Sequence, residues 1–180
     1  DLQAALDDIR TSLPAAGVSY QLKQNTTLKR EWSGFSDFAM SRHSVRVYRP
    51  EAVSDADFEA AVRTAQHTPS VCNRQAFFVK RLTDPELIRG ALAYQNGNRG
   101  FGHQVPTLFI MGADIRAFGG RVERKQPLID GALFAMSFMY ALHGRDVGSC
   151  PLNWCVTHDN DRQLKQLLDI PDHIEIVMLL

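Results

Sequence analysis

At 180 residues the chain suits one domain, or a domain with an arm, and can bury roughly 70% of the surface its unfolded form exposes. Its 20 basic and 20 acidic residues cancel, which argues against a nucleic-acid or anionic-membrane surface as its main business. No apolar run reaches the ~18 residues that span a bilayer, and no signal peptide is visible at the start. The three cysteines, Cys72, Cys150 and Cys155, form no CxxC pair and the histidines show no metal-ligand spacing. Reduced thiols in a cytoplasmic protein without a metal are the expectation, although a Cys150–Cys155 disulfide stays open.

Leu2, Leu6, Ile9 and Leu13 form an amphipathic stripe closed by Pro14, and residues 17–27 read as a linker. Trp32, Phe35 and Ala39 predict a second helix ending near Ser41. Val45, Val47 and Tyr48 predict a short extended segment stopped by Pro50. Ser54-x-x-Asp57 is a capping-box-like start for a helix with Phe58, Ala61, Val62 and Ala65 on one face. Phe77 to Leu82 reads as a strand. Asp84-Pro85 opens a helix carrying Leu87, Ile88, Ala91 and Leu92, and Thr107 to Gly112 is a buried strand. Leu128 to Leu142 is apolar almost all round, so that helix belongs in a core or a subunit interface. A last helix around Asn160 to Leu168 precedes HIEIVMLL, a run fit for a central strand. Helices interleaved with strands indicate a mixed α/β or α+β sandwich.

Three loops carry chemistry. SRHSVR (Ser41 to Arg46) sets Arg42, Ser44 and Arg46 at alternate positions, so an extended backbone points them the same way as a rail for an elongated anion. A solvated basic segment paired with surface acids is the equal alternative. TPSVCNRQ (Thr68 to Gln75) offers Pro69 for a turn and Ser70, Asn73 and Gln75 as hydroxyl and amide partners for a heterocycle, or else is a plain helix-to-strand loop. NGNRGFGHQ has its glycines in the order G-x-x-G-x-G with no strand leading into it, so it is not a dinucleotide fingerprint. It reads as a lid or pocket wall, with Arg99, Phe101 and His103 as candidates to face a substrate. G-x-S-x-G, HExxH and P-loop motifs are all missing, and Asp130 reads as a cap or interface hydrogen-bonder rather than a base.

The ordered series SRHSVR, TPSVCNRQ, IDGALFAMSFMYAL, GSCPLNW and IPDHIEIVMLL resembles the FMN-dependent nitroreductase family over residues 35–180. The resemblance implies an α+β fold, an α/β/α sandwich around a mixed, mainly antiparallel central sheet. It implies residues 1–30 as an N-terminal helical arm and linker, and 31–180 as the FMN-binding domain. It implies that Arg42 and Ser44 hold the FMN phosphate and that Arg46 reaches the ribityl chain and the O2 side of the ring, with His43 at a position where Arg or His is tolerated. Pro69, Ser70, Val71 and Asn73, with Gln75 close by, would border the flavin from the other subunit of a homodimer. Pro151, Leu152 and Asn153 would offer backbone contacts near N5 and O4.

Two departures stand out: Asn153-Trp154 where some members carry Glu-Gly, and Gln75-Ala76 for the commoner Gln-Pro. The family also has a stretch after the last strand that adds a basic residue to the phosphate and wraps the partner, and the sequence in hand ends at Leu180, before it. The implied activity is hydride transfer from NAD(P)H through flavin N5 to a nitroaromatic, quinone or enone-like acceptor by a ping-pong route. Its rivals are a reductive dehalogenase or flavin-degrading enzyme on the same fold, and a non-catalytic flavin-binding or partner-docking protein.

Overall fold

The computed structural model describes the backbone of residues 25–180 and the side chains of residues 31–180, in two units, 1–42 and 43–180. The predicted helix at Leu2 to Leu13 and the first part of the predicted linker lie outside the described residues. Residues 25–27, read as linker, instead begin helix α1 (Asn25–Ser41). This helix exposes Trp32, Phe35 and Met40, with the Trp32 and Phe35 ring centroids 6.1 Å apart.

The second unit is organised by sequence signals that operate as read. Helix α2 (Asp55–Ala65) starts where Ser54 Oγ accepts from Asp57 N at 3.1 Å. The return arm of a capping box is replaced: Ser54 Oγ also donates to the Asp57 carboxylate at 2.7 Å. Phe58, Ala61, Val62 and Ala65 form its buried face. Strand β1 (Phe77–Leu82) follows, then α3 (Pro85–Ala93), where Asp84 accepts from Glu86 N at 2.7 Å and Leu87 N at 3.2 Å. Ile88, Ala91 and Leu92 are buried, whereas Leu87 faces outward. Strand β2 (Leu108–Asp114), helix α4 (Gln126–His143), the two-residue β3 (Leu152–Asn153), helix α5 (His158–Leu168) and strand β4 (Ile174–Leu179) complete the order.

The strands form one sheet in the order β1-β2-β4-β3, and every named pair is antiparallel. HIEIVMLL is therefore an inner strand, as its apolar run predicted. The segment around Val45 contributes only a bridge, a parallel one between Ser44 and Ser149, and is not a strand.

Alternation along β2 explains the two-faced core. Leu108 and Ile110 join α3 and α5 in a cluster with Leu92, Leu164, Leu168, Ile174 and Ile176. Phe109 points the other way and stacks on Phe58 of α2 at 5.7 Å, while meeting Phe138 of α4 edge-on at 5.1 Å. Helices thus cover both faces of the sheet, and a strand buried on both faces reads as a continuous apolar run. Gly131 lets α4 approach the sheet: a Cβ there would come within 2.7 Å of Val177 Cγ2. The far side of α4 leaves Leu128, Ile129 and Leu133 between 43 and 49% exposed. Among the described residues, no helix is long and apolar enough to cross a membrane.

Candidate functional site

The first predicted cluster is held from beneath. Val45 N donates to Ser149 O at 3.0 Å, and Tyr48 Oη donates back to Val45 O at 2.6 Å. Gly148 makes this possible, since a Cβ there would sit 2.8 Å from Val45 Cγ2. The pairing lays Ser44 against the start of the GSCPLN turn. Burial pushes the Tyr48 phenol up to about 12, Cys150 adds to that, and Arg46 opposes it. Tyr48 is therefore a neutral donor throughout the physiological range.

The cations of this cluster are the informative part. Among the described residues Arg42, His43 and Arg46 have no carboxylate partner, whereas Arg74, Arg81, Arg116 and Arg145 each have one. Arg42, the last residue of the first unit, has its Nη1 buried without any hydrogen-bond partner. Arg46 is exposed, with its guanidinium 6.0 Å from the centroid of the Phe101 ring. An orphaned buried guanidinium nitrogen is costly, and an anionic ligand is what relieves it. Within the second unit, Ser44 and Arg46 are donors of the kind that fit a phosphate monoester such as the FMN tail.

Two more predicted segments meet this one. Phe101 is 6% exposed and packs into the core, 6.4 Å from Tyr48, so it lies under Arg46. Arg99 and His103 are exposed on either side of it. Gln95, which is buried, donates to Asn153 O at 3.0 Å and receives Gly97 N on its own carbonyl oxygen, tying the glycine-rich loop to the turn. Leu152 is buried against β4, Pro151 is partly exposed and Asn153 exposed.

The second cluster is a strained loop. Cys72, Asn73 and Gln75 have φ of 50, 54 and 51°, the left-handed region that non-glycine residues rarely adopt. Each such residue costs on the order of 1–3 kcal/mol and persists only where surroundings impose it. Here Ser70 Oγ accepts from Gln75 N at 2.9 Å, Asn73 N donates to Ser70 O at 3.0 Å, and Gln75 Nε2 donates to Asn73 Oδ1 at 3.1 Å. Pro69 is exposed and Val71 half-buried. From outside the loop, Asp130 on α4 accepts from Val71 N at 3.2 Å and from Gln126 Nε2 at 2.8 Å, although only 1% of it is exposed. Arg74 pairs with Glu123 at 2.8 Å.

Asp130 is thus the residue that sequence reasoning did not assign to the site. Its only signal was a lone acid near the start of an oily helix. Gln95 gave no signal because its partner, Asn153, lies 58 positions along the chain, and Tyr48 was read only as part of an extended segment although its partner, Val45, is three residues away. The three cysteines are free.

The two clusters lie at opposite edges of the sheet. TPSVCNRQ leads into β1, while Ser44 and Val45 are bound next to the turn that leads into β3. Three inter-strand steps separate these edges, or about 14 Å laterally.

The model of the Nitroreductase family matches residues 39–95, a stretch that contains both clusters. A candidate NADH oxidase of Clostridium acetobutylicum superposes with a TM-score of 0.69 at 20% identity, covering 79% of this chain and 84% of that one. A candidate nitroreductase of Bacillus subtilis gives 0.72 at 16%, covering 82% and 86%. An FMN-dependent nitroreductase of Clostridium difficile gives 0.68 at 17%, covering 79% and 82%. The chain has the fold of these proteins, and the resemblance drawn from its motifs is borne out.

Proposed function

We propose that this chain is an FMN-dependent NAD(P)H oxidoreductase of the nitroreductase type, working in the cytoplasm as a homodimer with its flavin sites at the subunit interface. When bound, the flavin would supply, at N5, the redox chemistry for moving hydride from NAD(P)H to a nitroaromatic, quinone or enone-like acceptor by a ping-pong route. The residues of the chain supply position and charge. Arg42 and Ser44 grip the phosphate, His43 stands beside them, and Arg46 brings positive charge to the O2 side of the ring, which favours electron uptake. Pro151, Leu152 and Asn153 present backbone toward the N5 side. The loop of Pro69, Ser70, Val71, Asn73 and Gln75, held by Asp130, borders the ring of the partner subunit's flavin. Arg99 and His103 are the substrate-facing members of the glycine-rich loop, with Phe101 supporting them from the core.

One observation carries this reading: the cations of SRHSVR have no carboxylate partner among the described residues, and Arg42 Nη1 is buried and unpartnered. The three inter-strand steps between the sheet edges, about 14 Å laterally, support the homodimer, since one ring cannot readily touch both edges of a single protomer's sheet. The exposed Leu128, Ile129 and Leu133 of α4 supply an apolar face for the partner to cover.

The test is the visible spectrum of the purified protein, with added FMN and then with anaerobic NADH or NADPH. Bound flavin that bleaches with donor and recovers with a quinone supports the reading. Protein that takes up no FMN overturns it.

A further inference from the structure

The segment between β2 and α4 carries a charge imbalance that the flavin reading does not use. Arg121 opens a short helical turn (Arg121–Glu123), followed at once by Arg124 and Lys125. All three side chains are exposed. Glu123 inside the turn and Asp114 at the end of β2 are already engaged. Glu123 accepts from Arg74 at 2.8 Å and from Gly119 N, and Asp114 is paired with Arg116 at 2.6 Å. Arg124 Nη1 meets only the Arg121 carbonyl, at 3.3 Å. Among the described residues, then, Arg121, Arg124 and Lys125 have no carboxylate partner, in a chain whose formal charge is zero.

This turn is stitched to the strained loop. Arg74 of the loop reaches Glu123 within the turn and stands 5.9 Å from the Phe118 ring just before it. Asp130, just after it, binds both Val71 N and Gln126 Nε2. The three cations therefore belong to a turn that the Arg74–Glu123 pair ties to the loop assigned to the flavin ring. Gly120, at φ 66°, sets the direction in which the turn enters.

We infer that Arg121, Arg124 and Lys125 form a phosphate-binding rim that takes the phosphomonoester of a phosphorylated dinucleotide, so that NADPH is preferred to NADH as electron donor. The inference rests on the oxidoreductase reading for the identity of the ligand. A phosphomonoester carries a charge of about −2 at neutral pH and three acceptor oxygens, and it suits the planar forks of two arginines with a lysine beside them. NADH lacks that group and leaves the three cations without a partner. The site is solvent-facing, so the preference weakens as salt rises.

The experiment uses the full chain with FMN added and, separately, without it. Adenosine 2′,5′-bisphosphate, 5′-AMP and inorganic phosphate are titrated by calorimetry against the wild type and against a variant with Arg121→Ser, Arg124→Ser and Lys125→Ser. The bisphosphate is expected to bind the wild type about tenfold or more tightly than 5′-AMP, a difference the triple variant loses while its FMN affinity stays the same. A double Arg121→Lys, Arg124→Lys variant keeps part of the difference. Equal binding of the two nucleotides to the wild type overturns the inference. So does a difference that survives in the triple variant, or inorganic phosphate competing as well as the bisphosphate does. A chain that binds no FMN but shows the Arg121-dependent discrimination would sink the flavin reading and leave the nucleotide specificity of the turn standing.

Discussion

Asp130→Ala isolates the link between the buried helix and the strained loop. The substitution removes an acceptor that holds two donors, Val71 N at 3.2 Å and Gln126 Nε2 at 2.8 Å, at a position only 1% exposed. Hydrogen bonds to a charged group are worth ~1.5–3 kcal/mol each, and the two share one anchor, so the expected loss is about 3 kcal/mol rather than the full sum. The strain stored at Cys72, Asn73 and Gln75 has the same magnitude, so without Asp130 the loop should relax toward ordinary φ values. If half of the loss is spent on the geometry that borders the flavin, FMN affinity falls about tenfold. Urea unfolding followed by circular dichroism reads the first quantity, and FMN fluorescence quenching reads the second. Asp130→Asn keeps an acceptor for Val71 N without the charge, and it should recover most of the FMN affinity with less of the stability. An alanine variant with wild-type FMN affinity and a wild-type urea midpoint would refute the view that Asp130 shapes the loop.

Gly148→Ala drives a methyl into Val45, so the Ser44 segment must shift, and FMN affinity should drop about fivefold or more while the urea midpoint changes little, because the contact lies at a surface edge. Tyr48→Phe removes the bond to the Val45 carbonyl at a cost of roughly 1 kcal/mol in urea unfolding, with flavin affinity following in the same direction. The hydrogen bond from Arg74, then that from Gly119 N, holds the Glu123 carboxyl below its ordinary value of 4.5. A depressed folded-state value means that this pair stabilises above the unfolded pKa and stops doing so as pH falls through the folded one. Glu123→Gln should therefore flatten the part of the urea-midpoint profile that lies below about pH 4.5 and leave the neutral range nearly parallel to wild type. Leu133→Asp on the exposed face of α4 should shift the protein from dimer to monomer in sedimentation velocity, and an unchanged dimer would remove that face from the interface.

The sequence alone determined the elements whose signals are local. Ser54 and Asp84 mark helix starts through side chains that reach only two or three residues along the chain. The apolar run of β4 marks an inner strand, in which Glu175 near the start is the one exposed residue. The motifs SRHSVR and TPSVCNRQ were legible for the same reason, as each is one short stretch of donors. What the tertiary structure decided is which groups lack partners and which distant segments meet. No spacing shows that Arg42 and Arg46 lack a carboxylate partner among the described residues while Arg74 finds Glu123, since such pairing joins residues as many as 88 positions apart, as in Arg145 and Asp57. The sequence marked Asp130 as a hydrogen-bonding residue but did not say that the loop is what it anchors. An acid on an oily helix is neutral information until a backbone N–H from 59 residues away is brought against it.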